Sequence, residues 1–133
     1  MAIERPLPTV TPLNAPFFEH ARRHVLAIQF CNTCGDAHFP PMPICPKCLG
    51  EDQSWRPVSG DGVLYSWVVF HQGYWAGMKE ALPYPVCMVE LAEGPLFLAN
   101  FVGDHRAARV GAAVRVAFEK VNEEITLPQF ALA

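Results

Sequence analysis

Four cysteines, Cys31, Cys34, Cys45 and Cys48, carry the strongest chemical signal in the chain. They form two Cys-x2-Cys pairs separated by ten residues. Two residues between paired cysteines let one tight turn present both thiolates to a single metal. Two such turns facing each other complete the tetrahedral S4 shell that zinc accepts. Gly35, directly after Cys34, lets the backbone curl so that N–H groups can point at sulfur. Pro46 stiffens the second turn. All four positions of the shell are taken, so none remains to activate water, and the expected metal is one structural zinc per chain. Iron fits the same shell, and the spacing by itself does not choose between them. Zinc is favoured because nothing nearby suggests an electron-transfer partner. Two disulfides, or free buried thiols, are the competing readings. Five cysteines, an odd number with four of them paired by spacing, suit a reducing compartment, the cytoplasm, better than a disulfide framework.

Little else in the chain has the spacing of catalytic machinery. Cys87 lies in the apolar run Pro85-Val86-Cys87-Met88-Val89, with no obvious base beside it, and reads as a small buried hydrophobe. His20 and His24 are four apart on a predicted helix, but no third ligand and no HExxH-type glutamate accompanies them. Asp104 and His105 are neighbours, and neighbouring side chains point in different directions. A Gly-rich phosphate loop, a Gly-x-Ser-x-Gly elbow and a clustered carboxylate pair are all missing. No residue is assigned a catalytic role, and the chain looks poorly equipped as a free-standing enzyme.

The elements that must hold the cysteines are short. At 133 residues the chain fits one compact unit or two small lobes, and thirteen prolines with nine glycines favour strands and turns over long helices. Residues 1–13 read as an extended arm. Asn14 is the expected N-cap of a helix over 15–24, with Pro16 in its first turn and Phe18, Ala21 and Val25 on one stripe. Residues 25–30 read as a strand leading into a turn-rich insert over 31–48. Beyond it the period becomes that of strands, at 62–70, 85–91, 96–101, 113–121 and 125–130. Five short strands suit a small closed barrel, and the OB-fold has that number. The organisation expected is an arm and helix (1–25), a zinc ribbon (26–55) and a barrel (56–133).

The net charge of −3 lacks the basic clusters that phosphate neutralisation demands, which argues against nucleic acid. No apolar stretch reaches the length of a bilayer span, and the N-terminus has no h-region.

Read in order, several segments resemble a known family from about residue 14 onward. They are Phe17-Phe18-Glu19, Gln29-Phe30-Cys31-Asn32-Thr33-Cys34-Gly35, Phe39-Pro40-Pro41 and Cys45-Pro46-Lys47-Cys48. The series continues with Ser59-Gly60-Asp61-Gly62-Val63-Leu64-Tyr65-Ser66, Pro83-Tyr84, Val89-Glu90-Leu91, Gly94-Pro95, Val110-Gly111 and Leu127-Pro128-Gln129-Phe130. Together they resemble the zinc-ribbon plus OB-fold proteins that accompany acyl-CoA enzymes, catalogued as a domain of unknown function. The resemblance implies a mainly β fold with an N-terminal helix, a rubredoxin-like zinc ribbon and a C-terminal OB barrel. It implies a non-catalytic accessory subunit in a hetero-oligomer, with acyl-CoA as a ligand shared with the partner. The implied partner is a thiolase-superfamily enzyme (thiolase, acyltransferase or thiolase-like aldolase) or a hotdog-fold enoyl-CoA hydratase, in steroid side-chain or fatty-acyl metabolism. Relatives commonly carry an arginine after the paired prolines where this chain has Met42, which puts any guanidinium contact there in doubt. A nucleic-acid-binding ribbon and barrel is the alternative.

Two regions are candidate contact sites. Phe17 and Phe18 diverge by about 100° around a helix, so one is expected to pack inward and the other to dock into a partner, with both as ordinary core residues the competing reading. The connection 71–84 is the longest between strands. His71, Tyr74, Trp75 and Lys79 on it are candidates to wall an acyl-CoA tunnel or reach the partner's site. Capping of the barrel by Trp75 is the plainer reading.

Overall fold

A computed structural model describes residues 6–74 and 76–133. One helix, α1 (Ala15–Arg22), precedes eight strands: β1 (Ala27–Cys31), β2 (Ala37–His38), β3 (Gln53–Pro57), β4 (Asp61–Phe70), β5 (Tyr84–Leu91), β6 (Leu96–Asn100), β7 (Ala113–Lys120) and β8 (Thr126–Leu132). Among the described residues no helix is long and apolar enough to cross a membrane.

The helix forms where expected but is shorter and differently capped. Asn14 stands at the expected N-cap position, but its side chain does not bond the helix. Its Oδ1 accepts from the Thr11 N–H at 2.7 Å and its Nδ2 donates to the Thr9 carbonyl at 3.1 Å, so the side chain pins the preceding arm instead. The helix ends two residues early because His24 takes a left-handed φ of 59°, a conformation that terminates helices.

The ribbon is a three-stranded antiparallel sheet in the order β2-β1-β3. Its two flanking strands were hidden in the sequence by their shortness and by the prolines around them. β3 pairs with β1 along its whole length, from Cys31 opposite Gln53 to Ala27 opposite Pro57.

The five later strands coincide closely with those read from the sequence. Their order is β6-β5-β4-β7-β8, all antiparallel. A parallel bridge from Phe101 to Phe130, with the Val102 N–H donating to the Phe130 carbonyl at 2.8 Å, joins the two ends. That closure is the topology of an OB barrel. Gly62 lets β4 and β5 approach: a Cβ there would lie 2.6 Å from the Glu90 carbonyl oxygen. A register shift between Leu64 and Ser66 then bends β4 around the barrel.

One core serves helix, ribbon and barrel. Phe17 and Phe18 from α1, Leu26 and Ile28 from the ribbon side, and Leu64, Val89, Phe97 and Phe130 from the barrel all belong to it. The expectation that α1 buries only one phenylalanine does not match this packing, since Phe17 and Phe18 are each only 6% exposed. The 100° divergence would free one ring beside a single wall. Here the ribbon and the barrel wrap the helix from two directions.

Candidate functional site

Cys31, at the end of β1, and Cys34 come from the turn between β1 and β2, and Cys45 and Cys48 from the turn before β3. The Gly35 N–H bonds the Cys31 carbonyl and the Leu49 N–H the Cys45 carbonyl, each at 2.9 Å. Gly35 has φ 81° and Leu49 φ 65°, so both turns close through a left-handed residue. The four sulfurs converge, all within 4.8 Å of one another. Cys31 to Cys48 and Cys34 to Cys45 are each 3.6 Å apart. A disulfide would need about 2.05 Å. A tetrahedron with metal–sulfur bonds of about 2.3 Å has edges near 3.8 Å. The separations are those of a metal shell.

The electrostatics agree. Backbone N–H groups of Thr33 and Cys34 reach Cys31 Sγ at 3.4 Å, and that of Lys47 reaches Cys45 Sγ at 3.4 Å. The Cys34 N–H, aided by that of Thr33, draws the Cys31 thiol down to about 6. Cys34 moves the other way, to about 12: the Asp36 N–H lowers it, but burial and the neighbouring sulfurs outweigh that pull. Cys48 is raised too, with the Gly50 N–H opposed by Cys31 and by burial. The Cys31 thiolate forms readily, and Cys34 and Cys48 then resist ionising, because like charges are crowded together. A divalent cation removes that resistance. The four residues therefore fit a zinc ion, which would supply structure and no chemistry.

Sequence reasoning missed the clamp that carries the second turn. Gln29, 5% exposed in the middle of β1, receives the Met42 N–H on Oε1 at 2.8 Å and donates Nε2 to the Met42 carbonyl at 3.1 Å. Gln53 adds a bond to the same carbonyl at 2.8 Å. Both use the backbone of residue 42, so they do not depend on whether arginine or methionine stands there. A polar residue within the apolar run of a strand was the available signal.

The remaining predicted residues lie elsewhere. Phe17 and Phe18 help line a shallow apolar groove of about 260 Å³ beside β6 and β8, with Phe39, Phe97 and Leu127. His71, Tyr74 and Lys79 are exposed on the 71–84 connection. That connection holds a short 3-10 helix, Ala76–Ala81, and is closed at its base by Phe70 stacked on Tyr84 at 5.1 Å. Trp75 lies outside the described residues. Cys87 is fully buried, and burial pushes its thiol up to about 11, as befits a core residue. His20 turns its Nδ1 to the Pro16 carbonyl at 2.6 Å and His24 stacks on Phe118, so the pair does not converge on a metal. Asp104 caps a 3-10 turn by accepting from the Arg106 N–H at 2.9 Å.

Comparison with known proteins matches residues 18–53 to the family model "ChsH2, rubredoxin-like zinc ribbon domain" and residues 55–119 to "ChsH2, C-terminal OB-fold domain". A solved structure titled as an Ltp2-ChsH2(DUF35) aldolase contains a chain that superposes with a TM-score of 0.84 at 33% identity, covering 95% of this chain and 98% of that one. A probable enoyl-CoA hydratase alpha subunit of Thermomonospora curvata is 35% identical over 127 residues, 95% of this chain and 39% of that protein. The benzoylsuccinyl-CoA thiolase subunit BbsA of Thauera aromatica is 37% identical over 73 residues, 55% of this chain and 49% of that protein. The chain thus spans half or less of the length of these two curated relatives.

Proposed function

The chain belongs to the ChsH2 (DUF35) family of zinc-ribbon and OB-fold proteins, and on that premise we propose that it is a non-catalytic accessory subunit of an acyl-CoA enzyme. The partner we favour is a thiolase-superfamily enzyme, an aldolase or thiolase, in line with the names of the aldolase complex and of BbsA. A hotdog-fold enoyl-CoA hydratase fits the name of the Thermomonospora relative. The pair would act in fatty-acyl or steroid side-chain metabolism in the cytoplasm. Zinc holds the ribbon, and acyl-CoA is a ligand shared across the subunit boundary.

The observation that carries this reading is an apolar strip on the outer face of the barrel. Strand alternation turns Cys87, Val89 and Phe97 inward, which leaves Val86, Met88 and Leu98 facing out, bordered on the same face by the Glu90–Leu96 pair and by Asn100. Val68 on β4 lies opposite Val86 and joins them. Val68 is 57% exposed and Leu98 61%. Apolar side chains contiguous across three strands are what an association surface provides and what a free monomer seldom keeps. Replacing Leu98 or Val68 by Asp puts a charge in that strip without touching the core. The expected result is a loss of about 2 kcal/mol or more in binding, on the order of 30-fold, to the enzyme that copurifies from the native host. The melting temperature of the isolated chain should hold. Full assembly by both variants removes the strip from the interface. Micromolar binding of single-stranded nucleic acid at physiological salt would count against the accessory role itself.

Within the complex, the 71–84 connection is the part we assign to the acyl-CoA site. Gly73 folds it back tightly, since a Cβ there would meet the Lys79 backbone nitrogen at 3.3 Å. Tyr74 and Lys79 are left exposed at its surface, with His71 beside them. Tyr74 offers a broad face to a thioester chain, and Lys79 a charge to a CoA phosphate. Lys79→Glu should raise the assembled enzyme's KM for acyl-CoA about tenfold with kcat unchanged. A normal KM in that variant takes Lys79 out of the site.

A further inference from the structure

Among the described residues of the ribbon, His38 is buried with both of its polar side-chain atoms unpartnered. It occupies the second position of the two-residue strand β2, opposite Gln29, and is 7% exposed. Neither ring nitrogen has a hydrogen-bond partner among the described residues. Nδ1 comes within 3.4 Å of Asp36 Oδ2, near enough for attraction but without the alignment of a bond. Burying a polar group without a partner costs free energy that a leucine in the same place would not incur. A ring nitrogen of His38, a carboxylate oxygen of Asp36 and Cys45 Sγ also lie within 4.8 Å of one another.

Cys45 has a matching deficit. Of the two fully buried sulfurs in the quartet, Cys31 receives two backbone N–H groups, whereas among the described residues Cys45 receives one, that of Lys47, beside its contact with Cys34 Sγ. A buried thiolate with one donor carries charge that its surroundings do not balance. An imidazole without a partner and a thiolate short of a donor face the same small space.

We propose that His38 is a positioning residue of the metal centre, donating an imidazole N–H to the Cys45 thiolate while Asp36 steers the ring. The two residues form an outer layer of the site, the ring buried and the carboxylate part exposed. Such outer-layer partners orient the ligand and typically change metal affinity by about 10- to 100-fold when removed. The inference rests on the zinc reading of the four cysteines, and its test separates the two.

The experiment measures zinc content by elemental analysis, zinc release to an excess of a colorimetric chelator, and the visible spectrum of the cobalt-substituted protein. About one zinc in the unaltered chain upholds the metal reading, and none ends it, whatever the variants do. His38→Leu keeps the volume and removes the N–H. It should still load one metal, release it about tenfold faster or more, and shift the sulfur-to-cobalt charge-transfer band. His38→Gln restores an N–H and should release within about threefold of the unaltered rate. Asp36→Asn leaves the ring in place but loosens its orientation, and should accelerate release by a smaller factor, about threefold; it carries the test if His38→Leu does not fold. Release at the unaltered rate in both His38→Leu and Asp36→Asn overturns the proposal and makes His38 a packing residue. Loss of the four-coordinate cobalt bands in a His38→Leu protein that stays folded overturns it too, since removing an outer-layer residue leaves the four thiolates in place.

Discussion

Stripping the metal with a strong chelator is expected to destroy the cooperative thermal transition of the entire chain, barrel included. The reason lies in the shared core. Leu26 and Ile28 lead into Cys31 along β1 and pack in the same cluster as Leu64, Val89 and Phe130 of the barrel. A ribbon that loses its metal frees β1, and with it the wall on which α1 and one side of the barrel rest. Structural zinc binding is worth about 10–16 kcal/mol in small zinc-finger peptides. That equals or exceeds the roughly 5–15 kcal/mol that holds a typical domain folded. Calorimetry of the chelated protein should show either no transition or a broad one at least about 20 °C below that of the loaded form. Cys34→Ser tests the same point without a chelator. It removes one thiolate of the shell and should weaken zinc binding on the order of 100-fold or more, beyond the range seen for residues that only support a ligand. A second, unshifted transition surviving in the chelated sample would show that the barrel folds by itself and that the core is divided. A red, iron-containing preparation would change the metal and leave the structural argument intact.

The sequence displayed the parts of this fold that depend on local chemistry. The paired cysteines, the left-handed glycine after Cys34 and the five alternating strands each follow from residue type and spacing over fewer than twenty positions. The barrel's closure does not. A parallel bridge between Phe101 and Phe130 joins segments with no alternation signal in common, and only the complete sheet brings them together. Asn14 misled for a related reason. Its side chain can serve the helix ahead or the arm behind, and the hydroxyl of Thr11, which receives the Asn14 N–H at 3.3 Å, decides for the arm. Gln29 and His38 look in the sequence like ordinary polar residues of short strands. They acquire meaning only when residue 42 and Cys45 fold over them from elsewhere in the ribbon.

Phe17→Ala is expected to lower the melting temperature of the isolated, metal-loaded chain by roughly 10–20 °C, a larger effect than any it has on partner binding. Its ring lies where the three parts of the molecule meet. It approaches Phe39 of the ribbon at 5.3 Å, Trp55 of β3 at 6.4 Å and Phe97 of the barrel at 6.2 Å, with Phe18 edge-on at 5.2 Å. Phe39 stacks on Phe97 at 4.3 Å, and Phe97 meets Phe130 edge-to-face at 5.9 Å, so the cluster continues into the centre of the barrel. Truncating a buried phenylalanine typically costs about 3–5 kcal/mol, because the cavity left behind cannot fully collapse. Collapse is especially hindered here, since closing the gap would require the ribbon and the barrel to move toward each other. Two measurements decide between a core and a docking role. If Phe17→Ala melts within a few degrees of the unaltered chain yet no longer copurifies with the partner enzyme, the ring belongs to the interface. If it melts far lower, and the protein that remains folded at low temperature still binds, α1 is the keystone of the subunit and the partner reads the surface that the helix holds in shape.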